Sequence, residues 1–197
     1  MHDIFLLEAH MNNPELILKH KNIKLPAINQ LGILVPDIHE AVTNYIRILG
    51  IGPWFRSKTV KHEVLYCGKP ITIDVDIVLA FHKGIEVELI ALKGGEECIY
   101  TNLITTSGGG LHHVGSLVLS YDQGMKRVHE AGIDVIQSGV IVTQGGAVTR
   151  YAYLDTVKQC GIITELIETK LYGMPVPQNR FFMEIGCLTG DVEKING

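Results

Sequence analysis

Residues 29–35 read NQLGILV and residues 112–118 read HHVGSLV. Set 83 residues apart, Gln30 meets His113, Gly32 meets Gly115, Leu34 meets Leu117 and Val35 meets Val118. Both stretches are short apolar runs of the kind that form buried strands. A helix signal follows each. In the first half Pro36 and Asp37 make a helix entry, with Asp37 as N-cap, and Ile38, Val42, Tyr45, Ile46 and Leu49 recur at helical spacing before Gly50. In the second half YDQGMKRVHEAG, residues 121–132, carries Tyr121, Met125 and Val128 on one face and ends at Gly132.

Three strand signals complete each half. The first half offers GPWF (52–55), ITIDVDIVLAF (71–81) and GIEVELIAL (84–92). The second offers IDVIQSGVIV (133–142), AVTRYAYLD (147–155) and GIITELIE (161–168), with a hairpin signal at QGG, 144–146. VELI at 87–90 meets TELI at 164–167, so the chain repeats a βαβββ unit. This predicts an α+β fold in which two tandem βαβββ modules form a cupped, partly closed mixed β-sheet with helices outside. The expected organisation is an N-terminal extension at 1–26, a first module at 27–100, a linker at 101–111, a second module at 112–169 and a C-terminal arm at 170–197. TTSGGG at 105–110 reads as a turn-rich linker, since no Lys-Ser or Lys-Thr follows to make a phosphate loop.

Equivalent strands of two such modules present equivalent residues to a shared cleft. Gln30 and His113 lie on the first strands, Glu88 and Glu165 on the last. One amide oxygen, one imidazole nitrogen and two carboxylates suit a divalent metal with room for substrate. Two neighbouring carboxylates are costly to bury without a cation or a proton between them. Because neighbours on a strand point to opposite faces, His113 is expected to face the cleft and His112 to face away, towards a helix or solvent. Trp54 and Phe55 are candidate pocket walls, and Arg150 a candidate for a substrate carboxylate or phosphate.

Composition narrows the function. The chain has 197 residues, a net charge of −4 and no basic run, which argues against nucleic-acid binding. No apolar run reaches membrane-span length, so no membrane partner is expected. The four cysteines form no CxxC pair and match no zinc spacing, which reads as reduced thiols in a cytoplasmic protein.

The stretches INQLGILVPDIHEAVTNYIRILGIGPWF, GIEVELI, GLHHVGSLV and RYAYLDTVKQCGIITELIE resemble the vicinal oxygen chelate superfamily over about residues 27–169. That superfamily includes glyoxalase I, methylmalonyl-CoA epimerase, extradiol dioxygenases and bleomycin-resistance proteins. The resemblance implies metal ligands at Gln30, Glu88, His113 and Glu165, and a divalent ion such as Zn, Ni, Co, Mn or Mg. It implies a lyase or isomerase that moves a proton alpha to a carbonyl through an enolate, with Glu165 as first base and Glu88 as its partner. A small-molecule substrate and a homodimer are expected with it. The alternative is a non-catalytic drug- or metabolite-binding protein. Gln30, where an iron site of two His and one carboxylate would want His, argues against a dioxygenase.

Overall fold

The computed structural model describes residues 25–196, so the extension expected at 1–26 lies, apart from its last two residues, outside the described residues. Strand β1 (Gln30–Leu34) leads into α1 (Ile38–Asn44), capped by the Asp37 carboxylate, which accepts from the Glu40 amide at 2.8 Å. A wider helical turn, Tyr45–Leu49, continues α1 to Gly50. Next come β2 (Trp54–Ser57), β3 (Thr59–Tyr66), β4 (Lys69–Ile71), β5 (Ile73–His82) and β6 (Ile85–Gly95). A short helix, α2 (Thr101–Ser107), precedes β7 (Gly110–Leu117), α3 (Tyr121–Glu130), β8 (Val135–Thr143) and β9 (Ala147–Leu154). The chain ends with α4 (Val157–Cys160), β10 (Ile163–Leu171), β11 (Met174–Pro175), α5 (Arg180–Thr189) and β12 (Val192–Ile195).

The described strands form one sheet in the order β12-β2-β5-β6-β1-β7-β10-β9-β8-β3-β4, with β11 flanking β10. Each module pairs its first strand in parallel with its last, β1 with β6 and β7 with β10. The modules meet through the antiparallel pair β1–β7. The four strands that carry the repeat-equivalent residues are therefore neighbours at the centre of the sheet. Two outer cores hold the helices. Ile38 and Val42 pack on Trp54, Val78 and Leu89, while Tyr121 and Val128 pack on Ala152, Leu154 and Leu166. A third core fills the cup, built around Leu34, Ile90, Tyr100, Tyr151 and Tyr153.

Two features depart from the sequence reading. Residues 101–107 are helical rather than plain linker, with Gly108 closing the helix in the left-handed region. The hairpin β3–β4 was not anticipated, although His62, Val64 and Tyr66 alternate with more exposed residues as a strand requires. Strand β3 leaves its own module and pairs with β8 of the other, from Thr59↔Thr143 to Tyr66↔Gln137. Only Lys58 separates β3 from β2, yet the two lie near opposite ends of the strand order. The sheet must curl to bring them together, and this makes the cup.

Candidate metal centre

The floor of the cup is a row of cross-strand neighbours. Glu88, Gly32 and His113 stand side by side on β6, β1 and β7. Gln30, Gly115 and Glu165 stand side by side on β1, β7 and β10. Each glycine is thus the gap between two chemical side chains. A Cβ at position 32 would fall inside the His113 ring, and one at position 115 would collide with Gln30 Oε1. Neither glycine has a positive φ, so their role is space rather than backbone freedom.

Over these gaps the side chains converge. His113 is fully buried, with Nε2 3.0 Å from Glu165 Oε2, 3.5 Å from Glu88 Oε2 and 3.2 Å from Gln30 Oε1. Ligand atoms of Glu88, His113 and Glu165 lie within 4.8 Å of one another. Both of these carboxylate oxygens are buried and accept no hydrogen bond from the described residues, although the imidazole is close by. Burial, with the Glu165 charge adding to it, pushes the Glu88 carboxyl well above the usual carboxylate range. Two orphaned carboxyl oxygens, an imidazole and an amide oxygen around one point are a donor set that fits a divalent cation.

Behind the four stands Glu86. It accepts from Gln30 Nε2 at 2.7 Å, which leaves Gln30 Oε1 turned to the centre. Burial raises the Glu86 carboxyl to about 7, and the bond from Gln30 opposes that rise. Sequence reasoning missed this residue because GIEVELI offers two glutamates on one strand face and only Glu88 has a repeat partner.

His112 overturns its expectation. The β1–β7 register shifts between Gly32 and Ile33, from His113 to Leu111, so His112 is the extra residue of a bulge. Strict alternation fails there. His112 is buried beside His113, not turned to solvent, and its Nδ1 is 3.0 Å from His113 Nδ1. Its ring packs on Tyr100 and Tyr153, and burial with the His113 charge pushes it down to about 3. A neutral His112 can accept the Nδ1 proton of His113, which would leave the His113 Nε2 lone pair for a cation at the centre.

Arg150, Trp54 and Phe55 are not brought to this centre. Thr149, Tyr151 and Tyr153 line the cleft, and Arg150, between them on β9, faces the opposite side. There it bonds Asp122 at 2.9 Å and lies 4.2 Å over the Tyr121 ring. Trp54 is sealed in the core beneath α1, with Tyr45 edge-on at 5.5 Å, and Phe55 packs on Phe81. Bulk and burial, not substrate contact, account for both. His62 and Tyr151 do line the cleft, joined by a 3.0 Å hydrogen bond. Their only sequence signal was the two-residue alternation of β3 and β9.

The family described as the glyoxalase/bleomycin resistance protein/dioxygenase superfamily matches residues 29–153. Among solved structures, methylmalonyl-CoA epimerase from Mycobacterium tuberculosis superposes with a TM-score of 0.54 at 18% identity, over 78% of this chain and 91% of that one. A hypothetical protein from Bacillus halodurans gives 0.52 at 22% identity, over 78% and 98%. A methylmalonyl-CoA epimerase in complex with methylmalonyl-CoA and ammonium gives 0.51 at 16% identity, over 78% and 100%. No curated protein matches. At these identities the superpositions speak to fold. The family match spans well over half of the sequence, from the first strand of the repeat into β9 of the second half, and the chain belongs to the glyoxalase/bleomycin resistance protein/dioxygenase superfamily.

Proposed function

We infer that the protein is a metal-dependent lyase or isomerase of the glyoxalase or methylmalonyl-CoA epimerase type, moving a proton alpha to a carbonyl. One observation carries this reading: two carboxylates whose buried oxygens accept no hydrogen bond from the described residues, an imidazole and an amide oxygen converge on one point inside the cup. Such a cluster is unstable without a cation or a proton to offset its charge. Gln30, Glu88, His113 and Glu165 would hold a divalent ion. When bound, the ion supplies Lewis acidity towards substrate oxygens and so favours loss of the neighbouring C–H proton.

The protein's own residues do the rest. Glu165 takes the proton and returns it, and Glu88 serves the opposite face of the substrate. Glu86 holds the Gln30 amide so that its oxygen faces inward. The curled sheet and the tyrosines Tyr100 and Tyr153 keep water from the reacting carbon. The exposed apolar residues Phe181 and Leu188 on α5 support the expected homodimer. The four unpaired cysteines support a reducing, cytoplasmic setting.

The test is metal content per chain, by elemental mass spectrometry, on the purified protein and on Glu165→Ala. About one divalent metal in the parent, lost in the variant, supports the reading and leads to deuterium-exchange assays with acyl-CoA and hemithioacetal substrates. No metal in either, after addition of Mn, Co, Ni or Zn, overturns it in favour of a binding protein.

A further inference from the structure

Strands β9 and β10 form a ladder that leads away from the metal centre. Tyr153 faces Glu165, then Tyr151 faces Ile167, then Thr149 faces Thr169. Each step is two residues, or about 7 Å. The first step up from Glu165 carries the Tyr151 hydroxyl and its partner His62. The second carries Thr149 and Thr169, whose hydroxyls are 2.9 Å apart. Gln178 comes from beyond both modules and beyond the family match, and it closes this end. Its Nε2 donates to Thr169 Oγ1 at 3.0 Å, while its Oε1 is buried with no hydrogen-bond partner among the described residues. Ile77, Ile141 and Ile167 line the cleft between the two ends.

The far end therefore bonds hydrogen but carries no charge. Among the described residues no lysine or arginine lines the cleft, and Arg150 is on the other face of β9. Burial pushes the His62 imidazole down and the Tyr151 hydroxyl up, so both stay neutral near pH 7. An anion at this end would be buried without a partner, which is costly. A hydroxyl or N–H there would satisfy the orphaned Gln178 oxygen. The space between the walls is about 40 Å³, room for about three waters, so it admits a reacting fragment and leaves any larger carrier outside.

We propose that the cleft selects a small fragment with a metal-chelating oxygen pair at one end and an uncharged hydrogen-bonding group at the other, held by Tyr151, His62, Thr149 and Gln178. This rests on the metal centre of the proposed function and adds the substrate class.

The test uses the full chain loaded with cobalt and three acids that share one chelating end: 2-hydroxybutyrate, 2,4-dihydroxybutyrate and 2-hydroxyglutarate. Affinities are measured by calorimetry. The hydroxyl-ended acid is expected to bind about tenfold more tightly than the methyl-ended one, the worth of one good hydrogen bond. The carboxylate-ended acid is expected to bind weakest. Tyr151→Phe, one step from Glu165 and within reach of a four-carbon acid, should shrink the hydroxyl preference, and more than Gln178→Leu, two steps away. Equal or tighter binding of 2-hydroxyglutarate overturns the proposal, and so does a hydroxyl preference unchanged in both variants. Cobalt uptake with no binding of any acid overturns it while leaving the metal centre intact. Failure to take up cobalt overturns the metal centre and this proposal together.

Discussion

The His113 ring occupies the volume that a side chain at Gly32 would fill. The two face each other across the β1–β7 pair, and Gly115 gives Gln30 Oε1 the same allowance two pairs further along. The duplicated glycine is thus the partner of the duplicated ligand, each serving the other strand. Gly32→Ala should displace a rigid buried ring, cost about 1–3 kcal/mol as overpacking and abolish metal binding. Gly115→Ala meets the end of a flexible amide and should weaken metal binding without abolishing it. Gly94→Ala, with nothing within 4 Å of its added Cβ, is the control and should melt as the parent does. Thermal melts and metal content on the three variants check this ranking.

His112 acts through His113. His112→Leu removes the acceptor for the His113 Nδ1 proton and should lower metal affinity by about 10- to 100-fold with the fold retained. His112→Asn keeps an acceptor near the Nδ1 position and should recover most of that loss. Competition with a chromogenic chelator reads both. Equal affinity in His112→Leu and the parent would reduce His112 to packing.

Glu165→Gln should stop proton exchange and spare the fold. Removal of a positioned general base costs about 10²–10⁴ in rate. The Glu165 charge raises the Glu88 carboxyl, so an uncharged amide relieves repulsion in the empty site. The metal-free variant should therefore melt no lower than the metal-free parent. Deuterium incorporation beside a thermal melt decides it, and normal exchange in the variant would remove Glu165 from the chemistry.

Arg150 is a packing and ion-pair residue on the outer face. Its partner Asp122 is largely exposed, so solvent screens the pair and Arg150→Ala should cost about 1 kcal/mol or less. Metal content and exchange rate should not change. A variant that melts normally but loses exchange would return Arg150 to the substrate.

The four central residues were legible because duplication puts equal positions at equal places in space. Gln30 against His113 and Glu88 against Glu165 needed only the 83-residue offset and the matching ELI ends. The side of His112 was not legible. A bulge depends on the register of the facing strand, and alternation along one strand says nothing about it. The face of Arg150 was hidden for a related reason. TRYAYL fixes that Arg150 and Tyr151 oppose each other, but which of them faces inward depends on how β9 sits between β8 and β10. The β3–β4 hairpin was invisible as a bridge because its partner strand is about 75 residues away in sequence, beyond any local pattern.

Strand β3 of the first module is hydrogen-bonded into the second through seven register pairs. The halves of this duplication are therefore not two folding units joined by a tether. Calorimetry should show a single cooperative unfolding transition. A nick in the Gly108–Gly109 segment should leave two fragments that co-purify and re-form the cup on mixing, as complementing pieces of one domain. Either half made alone would expose the edge its partner strand covers, and should aggregate.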